Sequence, residues 1–134
     1  MRRVTVLVSL IYLLFSIPLF VPCDLCEAAG NTIYVDDSGG GDYTSIQEAI
    51  NIANESNIIY VYSGIYNENL VINKTIILQG EGSGSTTISG SGDHTVKIFA
   101  DNVSISGFTI KNTGVSSSFS SVFLNSVSNC TIEN

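Results

Sequence analysis

Beyond the first thirty residues only two side chains carry imidazole or thiol chemistry, His94 and Cys130, and no methionine joins them. A copper site needs several soft or imidazole ligands together. His94, which follows Ser91-Gly92-Asp93, therefore reads as a solvated loop residue, and Cys130 as a small buried hydrophobe. Asp36, Asp37 and Asp42 flank a glycine run and offer hard oxygen ligands, but their spacing fits no calcium loop. A solvated turn is the expectation there, and no metal or cofactor is assigned. Tyr60, Tyr62 and Tyr66 are amphipathic rings that stack on sugars if enough of them face outward. The N-x-S/T triplets at Asn54, Asn73, Asn102 and Asn129 are candidate glycosylation sites in a secreted chain. Asn54 ends a helical pattern and Asn73 a strand, whereas Asn102 and Asn129 fall at corners, where asparagine serves the turn in any case.

The chain that must position these groups has 134 residues, room for about one domain. It carries five Lys+Arg and a net charge of −7, too few clustered cations for a nucleic-acid partner. Met1-Arg2-Arg3 precedes the uncharged run Val4–Val21, and Cys26-Glu27-Ala28 places small residues where a signal peptidase cuts. Residues 1–28 are therefore expected to be a secretory signal, cleaved after Ala28 or, as the next choice, Ala29. The alternative is an uncleaved anchor, since the run is long enough to span a bilayer. Either way the protein is expected outside the cell or at its surface, with membrane contact only through this segment. Removing it takes equal numbers of acidic and basic residues, so the remainder stays at −7. It also leaves Cys130 alone, so packing and hydrogen bonds, not a disulfide, must hold the fold.

Asn31–Asp36 alternates like a short strand, and a Gly-rich loop follows. Residues 44–54 then read as a helix. Thr44 with Gln47, or Ser45 with Glu48, forms a capping box, and Ile46, Ala49, Ile50 and Ala53 make one apolar face. Beyond it come only short apolar runs separated by Gly, Ser and Asn, each three to five residues long, such as Ile58–Tyr62, Leu70–Ile72, Thr75–Leu78 and Val103–Ile105. Ser104–Asn112 aligns with Ser126–Asn134 at an offset of 22, with Ser, Ser, Thr, Ile and Asn recurring. A period of that size signals a solenoid. The reading is a right-handed parallel β-helix of about 22 residues per coil, capped at its N-terminal end by the helix. Ile105 is expected to stack on Val127, Phe108 on Cys130, Ile110 on Ile132 and Asn112 on Asn134. Four to five coils, about 20 Å tall, would result. With no second cap, residues 29–134 are expected to be the N-terminal part of a longer β-helix, or to self-associate.

The chain resembles right-handed parallel β-helix proteins of the pectin lyase-like superfamily. The resemblance rests on Ile33-Tyr34-Val35, Gly41–Ile50, Ile59–Glu68, Ile77–Gly82 and Asp101–Ile110. It implies the fold far more specifically than the function. The superfamily spans pectinesterases, lyases, periplasmic copper-maturation proteins of the type associated with nitrous oxide reductase, and surface proteins. Gly64-x-Tyr66-x-Glu68 is similar to a pectinesterase signature, and that resemblance makes Tyr66 and Glu68 candidates for substrate contact. The plainer reading is that Gly64 turns the chain, Tyr66 packs its ring and Glu68 satisfies backbone donors. By the same resemblance, catalytic aspartates and an arginine belong to later coils. After Asp42 the sequence offers only Asp93 and Asp101, and no arginine follows Arg3, so no catalytic residue is assigned. The expected function is a secreted or cell-surface β-helix domain, structural, adhesive or polysaccharide-binding, with a polysaccharide or cell-envelope component as partner. The alternatives are the N-terminal piece of an esterase or lyase and, third, a copper-maturation protein.

Overall fold

The computed structural model describes residues 30–114 and 118–134, so the signal segment and its cleavage candidates Ala28 and Ala29 lie outside the described residues. The elements are β1 (Thr32–Val35), α1 (Ile46–Ile52), β2 (Ile58–Val61), β3 (Gly64–Tyr66), β4 (Leu70–Ile72) and β5 (Ile77–Gly80). They continue as β6 (Thr86–Gly90), β7 (Val96–Ile98), β8 (Ser104–Ser106), β9 (Thr109–Asn112), β10 (Val122–Leu124) and β11 (Thr131–Glu133). Three parallel sheets form, ordered β1-β2-β5-β8-β11, β4-β7-β10 and β3-β6-β9. Strands this short cannot bury a face alone. Each turns one side inward, and the coil above supplies both the hydrogen-bond partner and the apolar neighbour.

The inward rows are continuous. Ile59, Leu78 and Ile105 stack in register, as do Leu70 on Val96, Ile72 on Ile98 and Tyr66 on Ile88. All of these are buried. Each fully buried aliphatic side chain stabilises the fold by roughly 1.5–3 kcal/mol relative to exposure. At the far end the same rows run out into solvent, where Leu124 is 48% and Ile132 44% exposed.

Coil length varies by face. Thr32 pairs with Ile58, Ile58 with Ile77, Ile77 with Ser104 and Ser104 with Thr131, giving steps of 26, 19, 27 and 27 residues. The expected 22 holds on one face, where Gly64 pairs with Thr86 and Thr87 with Thr109. It does not hold for the repeat that suggested it. Ile105 stacks on Ile132, not Val127, and Asn112 pairs with Gly90, not Asn134. Ile110 stands over Ile88 in another sheet from Ile132, and Cys130 lies one residue before Thr131, opposite Val103 and not Phe108. The physical reason is that the recurring Thr-Ile serves two faces. In 104–112 it follows the Gly107 corner into β9, and in 126–134 it forms β11. Register follows inward apolar rows and matched corners, and the matched corner is Asn102 with Asn129, both at φ 55°.

At the opposite end α1 buries Ile46, Ala49 and Ile50 against β1, β2 and β4. The helix is shorter than the pattern over 44–54. Ser45, not Thr44, is its N-cap, with an extended backbone and a hydroxyl accepting from the Glu48 amide at 3.3 Å. Gln47 completes the lid. Its side-chain oxygen accepts from the Val71 amide at 2.7 Å and its nitrogen donates to the Val71 carbonyl at 3.3 Å. One amide side chain thus satisfies the exposed edge of β4 as another strand would.

Candidate functional site

Gly64, Tyr66 and Glu68 converge on the lid. The chain leaves β3 so that Glu68, half-buried, faces the start of α1. Its carboxylate accepts from the Ser45 hydroxyl at 2.9 Å and from the Ile46 and Gln47 amides at 3.0 Å each. Those amides have no partner inside the helix, and the negative charge suits the positive end of the helix dipole. Lys74 acts at the other end, donating to the Ile50, Asn51 and Ala53 carbonyls at 2.7–3.1 Å. Tyr66 faces the core, 2% exposed. Its hydroxyl donates to the Tyr62 carbonyl at 3.1 Å and accepts from the Asp37 amide at 3.3 Å. Burial, the largest cause, raises the phenol above its ordinary value. Gly64 is not a turn glycine. It begins β3, and a Cβ there would meet the Asp37 carboxylate at 2.6 Å, so its lack of a side chain makes room for Asp37.

The aspartates are engaged separately. Asp36 accepts from the Ser38 amide at 2.8 Å and its hydroxyl at 2.6 Å, which hold the carboxyl below the usual range. Asp42 accepts from the Tyr34 amide at 2.9 Å. Asp101 accepts from the Ser128 amide at 2.6 Å, tying one corner to the next. Asp93 pairs with the Lys97 ammonium and accepts from the His94 amide, in that order of effect, which lowers its carboxyl. Among the described residues no three of His, Cys, Asp and Glu gather as a metal site would require.

His94 is more constrained than a solvated loop residue. It is half-buried, its ring stacks on Phe123 at 4.6 Å and meets Phe119 edge-on, and its Nδ1 accepts from the Ser120 amide at 2.9 Å. The loop carrying Phe119 and Ser120 follows β9 by sequence but returns over the 91–94 turn, a contact that no local pattern announces. Cys130 is half-buried, its thiol 3.5 Å from the Ala100 carbonyl. All four sequon asparagines, Asn54, Asn73, Asn102 and Asn129, are exposed.

The tyrosines divide by strand parity. Tyr66 turns inward, while Tyr34 and Tyr60 stand opposite one another on the outer face of the first sheet, and Tyr62 continues the alternation past β2. Their centroids lie 5.3–6.1 Å apart, with Tyr34 and Tyr62 stacked and Tyr60 edge-on to Tyr62. Tyr34 is 43% and Tyr62 37% exposed. Sequence reasoning missed Tyr34, although its place in Thr32–Val35 beside the Ile58–Val61 strand was the available signal.

Three parallel sheets wound in coils and closed at one end by a helix define the pectin lyase-like right-handed parallel β-helix. Carrot pectin methylesterase superposes with a TM-score of 0.70 at 22% identity, covering 78% of this chain and 39% of that one. A mutant pectin methylesterase solved with a hexasaccharide gives 0.58 at 20% identity, covering 75% of this chain and 48% of its own. The pectinesterase family profile matches residues 32–129, and the chain belongs to that family. It is 35% identical over 115 residues to probable pectinesterase/pectinesterase inhibitor 17 of Arabidopsis thaliana, covering 76% of this chain and 22% of that protein. It is 37% identical over 97 residues to a cell surface glycoprotein of Methanothermus fervidus, covering 69% of this chain and 15% of that one. The chain thus spans less than a quarter of the length of either of these curated relatives. Among the described residues no helix is long and apolar enough to cross a membrane.

Proposed function

We propose that this chain is an extracellular or cell-surface β-helix domain that holds polysaccharide along the outside of its solenoid. One observation carries the reading. Within a pectinesterase-family scaffold, the chemistry-bearing groups are committed to structure: Glu68 to the α1 amides, Asp101 to the Ser128 amide and Asp93 to Lys97. What remains outward on the first sheet includes tyrosine rings, with Tyr34 43% and Tyr62 37% exposed. The likeness to an archaeal cell surface glycoprotein supports the location, and the basic start with its apolar run supports export.

A second reading, ester hydrolysis of pectin by a longer protein, is favoured by the family match together with the small share of each relative that this chain covers. The test presents the full chain with methyl-esterified galacturonan and with unrelated polysaccharides. Affinity electrophoresis reads retention, and released methanol reads hydrolysis. Retention without methanol is the expected result. Methanol release at enzyme-like rates would replace the first reading with the second, and migration unaffected by every polysaccharide would end the first.

A further inference from the structure

We propose that the corner leading into the first sheet is a glycan-bearing edge, with N-linked oligosaccharide on Asn54, Asn73, Asn102 and Asn129. The four N-x-S/T triplets are scattered in sequence but fall on one side of the solenoid, one to a coil. Asn54-Glu55-Ser56 ends two residues before β2 and Asn73-Lys74-Thr75 two residues before β5, while Ser104 and Thr131, which close the other two triplets, open β8 and β11. Neighbouring triplets are bonded to one another. The Ser56 amide donates to the Thr75 carbonyl at 2.7 Å, and Glu55 accepts from the Thr75 amide at 2.7 Å. The Thr75 hydroxyl donates to the Asp101 carbonyl at 2.9 Å, and the Thr131 amide to the Val103 carbonyl at 2.9 Å.

Glycosylation consumes the side-chain amide. Its nitrogen bonds to the anomeric carbon of an oligosaccharide carried on a polyprenyl phosphate or diphosphate. The C–O bond to the phosphate breaks, one amide proton passes to a base of the transferase, and the lipid phosphate leaves. The asparagine must therefore face outward and be free of structural work. All four are exposed, and among the described residues none of their side-chain amides is hydrogen-bonded. Asn51, Asn69 and Asn112 do use theirs, on Gln47, on Ser91 and His94, and on Asp93, and all three lie outside any triplet. The basic start and apolar run that support export bring the chain past such a transferase.

The same edge carries apolar surface for a glycan to cover. Ile52, two residues before Asn54, is 63% exposed, and Phe99 is 45% exposed. Ile72 pairs with Ile98, and the Phe99 amide donates to the Ile72 carbonyl at 2.8 Å. Phe99 thus stands one coil, about 4.8 Å, above Asn73. Both follow inward isoleucines and are exposed on the outer side. The first sugar on Asn73 lays the C–H face of its ring against Phe99 and takes that surface out of water.

The test takes the protein as its native host exports it and reads the occupancy of each asparagine by glycopeptide mass spectrometry. Glycan is expected at all four sites, and two or three occupied sites sustain the edge. Fewer than two, an unmodified polypeptide included, overturns it. Ser104→Ala and Thr131→Ala abolish two triplets but keep the left-handed asparagines at the corner. Each is expected to remove the glycan from its own asparagine alone, with a native circular dichroism spectrum, and a modification that persists in both variants overturns N-linkage there. Asn73→Gln is expected to lower Tm by about 3–5 °C as Phe99 returns to water. In a Phe99→Ser background the same change is expected to move Tm by no more than about 1 °C. An unoccupied Asn73, an equal fall in both backgrounds, or no fall in either overturns the contact with Phe99, and the occupancy map decides the edge separately.

Discussion

Removing the Glu68 carboxylate tests whether the G-x-Y-x-E segment acts as an architectural clamp. In Glu68→Ala three donors lose their acceptor: the Ser45 hydroxyl and the Ile46 and Gln47 amides. The hydroxyl already serves the Glu48 amide as acceptor and finds water as donor, so its loss is small. The two amides sit at the half-buried start of α1 and cost about 1–1.5 kcal/mol each when orphaned. The charge–dipole interaction adds a few tenths at a partly exposed position. The expected destabilisation is about 2–3 kcal/mol. For a domain of this size that corresponds to a fall in Tm of roughly 10–20 °C. Glu68→Gln keeps one acceptor oxygen but turns an amide group toward a donor, so about 1–2 kcal/mol is expected. Differential scanning calorimetry reads Tm, and circular dichroism reads the helix. Polysaccharide binding, measured well below Tm, is expected to stay unchanged in both variants. A Glu68→Ala protein melting within 2–3 °C of native would refute the clamp. Native stability with lost binding would move Glu68 to the ligand site instead.

Gly107 sits at φ 75°, and a Cβ there would collide with the Gly80 carbonyl oxygen. Gly107→Ala is expected to lose about 2–4 kcal/mol in urea unfolding, whereas Gly84→Ala, whose Cβ meets nothing within 4 Å, is expected to stay within about 0.5 kcal/mol. Asp36 and Asp93 are both held below the ordinary aspartate value of 3.8, by Ser38 and by Lys97 respectively. The unfolded chain therefore protonates first, so their stabilisation is present above pH 3.8 and lost as pH falls through the folded-state values. Urea midpoints of native protein and of an Asp36→Asn/Asp93→Asn variant should differ near neutrality and converge in acid, and a gap that widens in acid would contradict the sign.

The residues with left-handed backbones show how far local chemistry was readable. Asn102 and Asn129 were legible as corners because asparagine tolerates that conformation, and both adopt it. Ser56 and Ser126 do the same without a comparable signal. β3 was hidden because Gly64-Ile65-Tyr66 offers no apolar run. Its pairing with β6 makes it a strand, leaving Ile65 64% exposed and Tyr66 buried. The cap on α1 was half legible. Ser45 and Glu48 are local, while Glu68, Gln47 against Val71, and Lys74 act across more than twenty residues of chain.

The sequence by itself determined that the chain is a parallel β-helix lidded by an amphipathic helix, because alternation, capping and corner chemistry are short-range and each residue's preference points the same way. Only the tertiary structure decided which residues stack. Steps of 19, 22, 26 and 27 residues all close a coil, since a corner absorbs extra residues at little cost while a misplaced inward row would expose its whole face. The same selection of register turned Tyr66 into the core and brought Tyr34, Tyr60 and Tyr62 together on the surface.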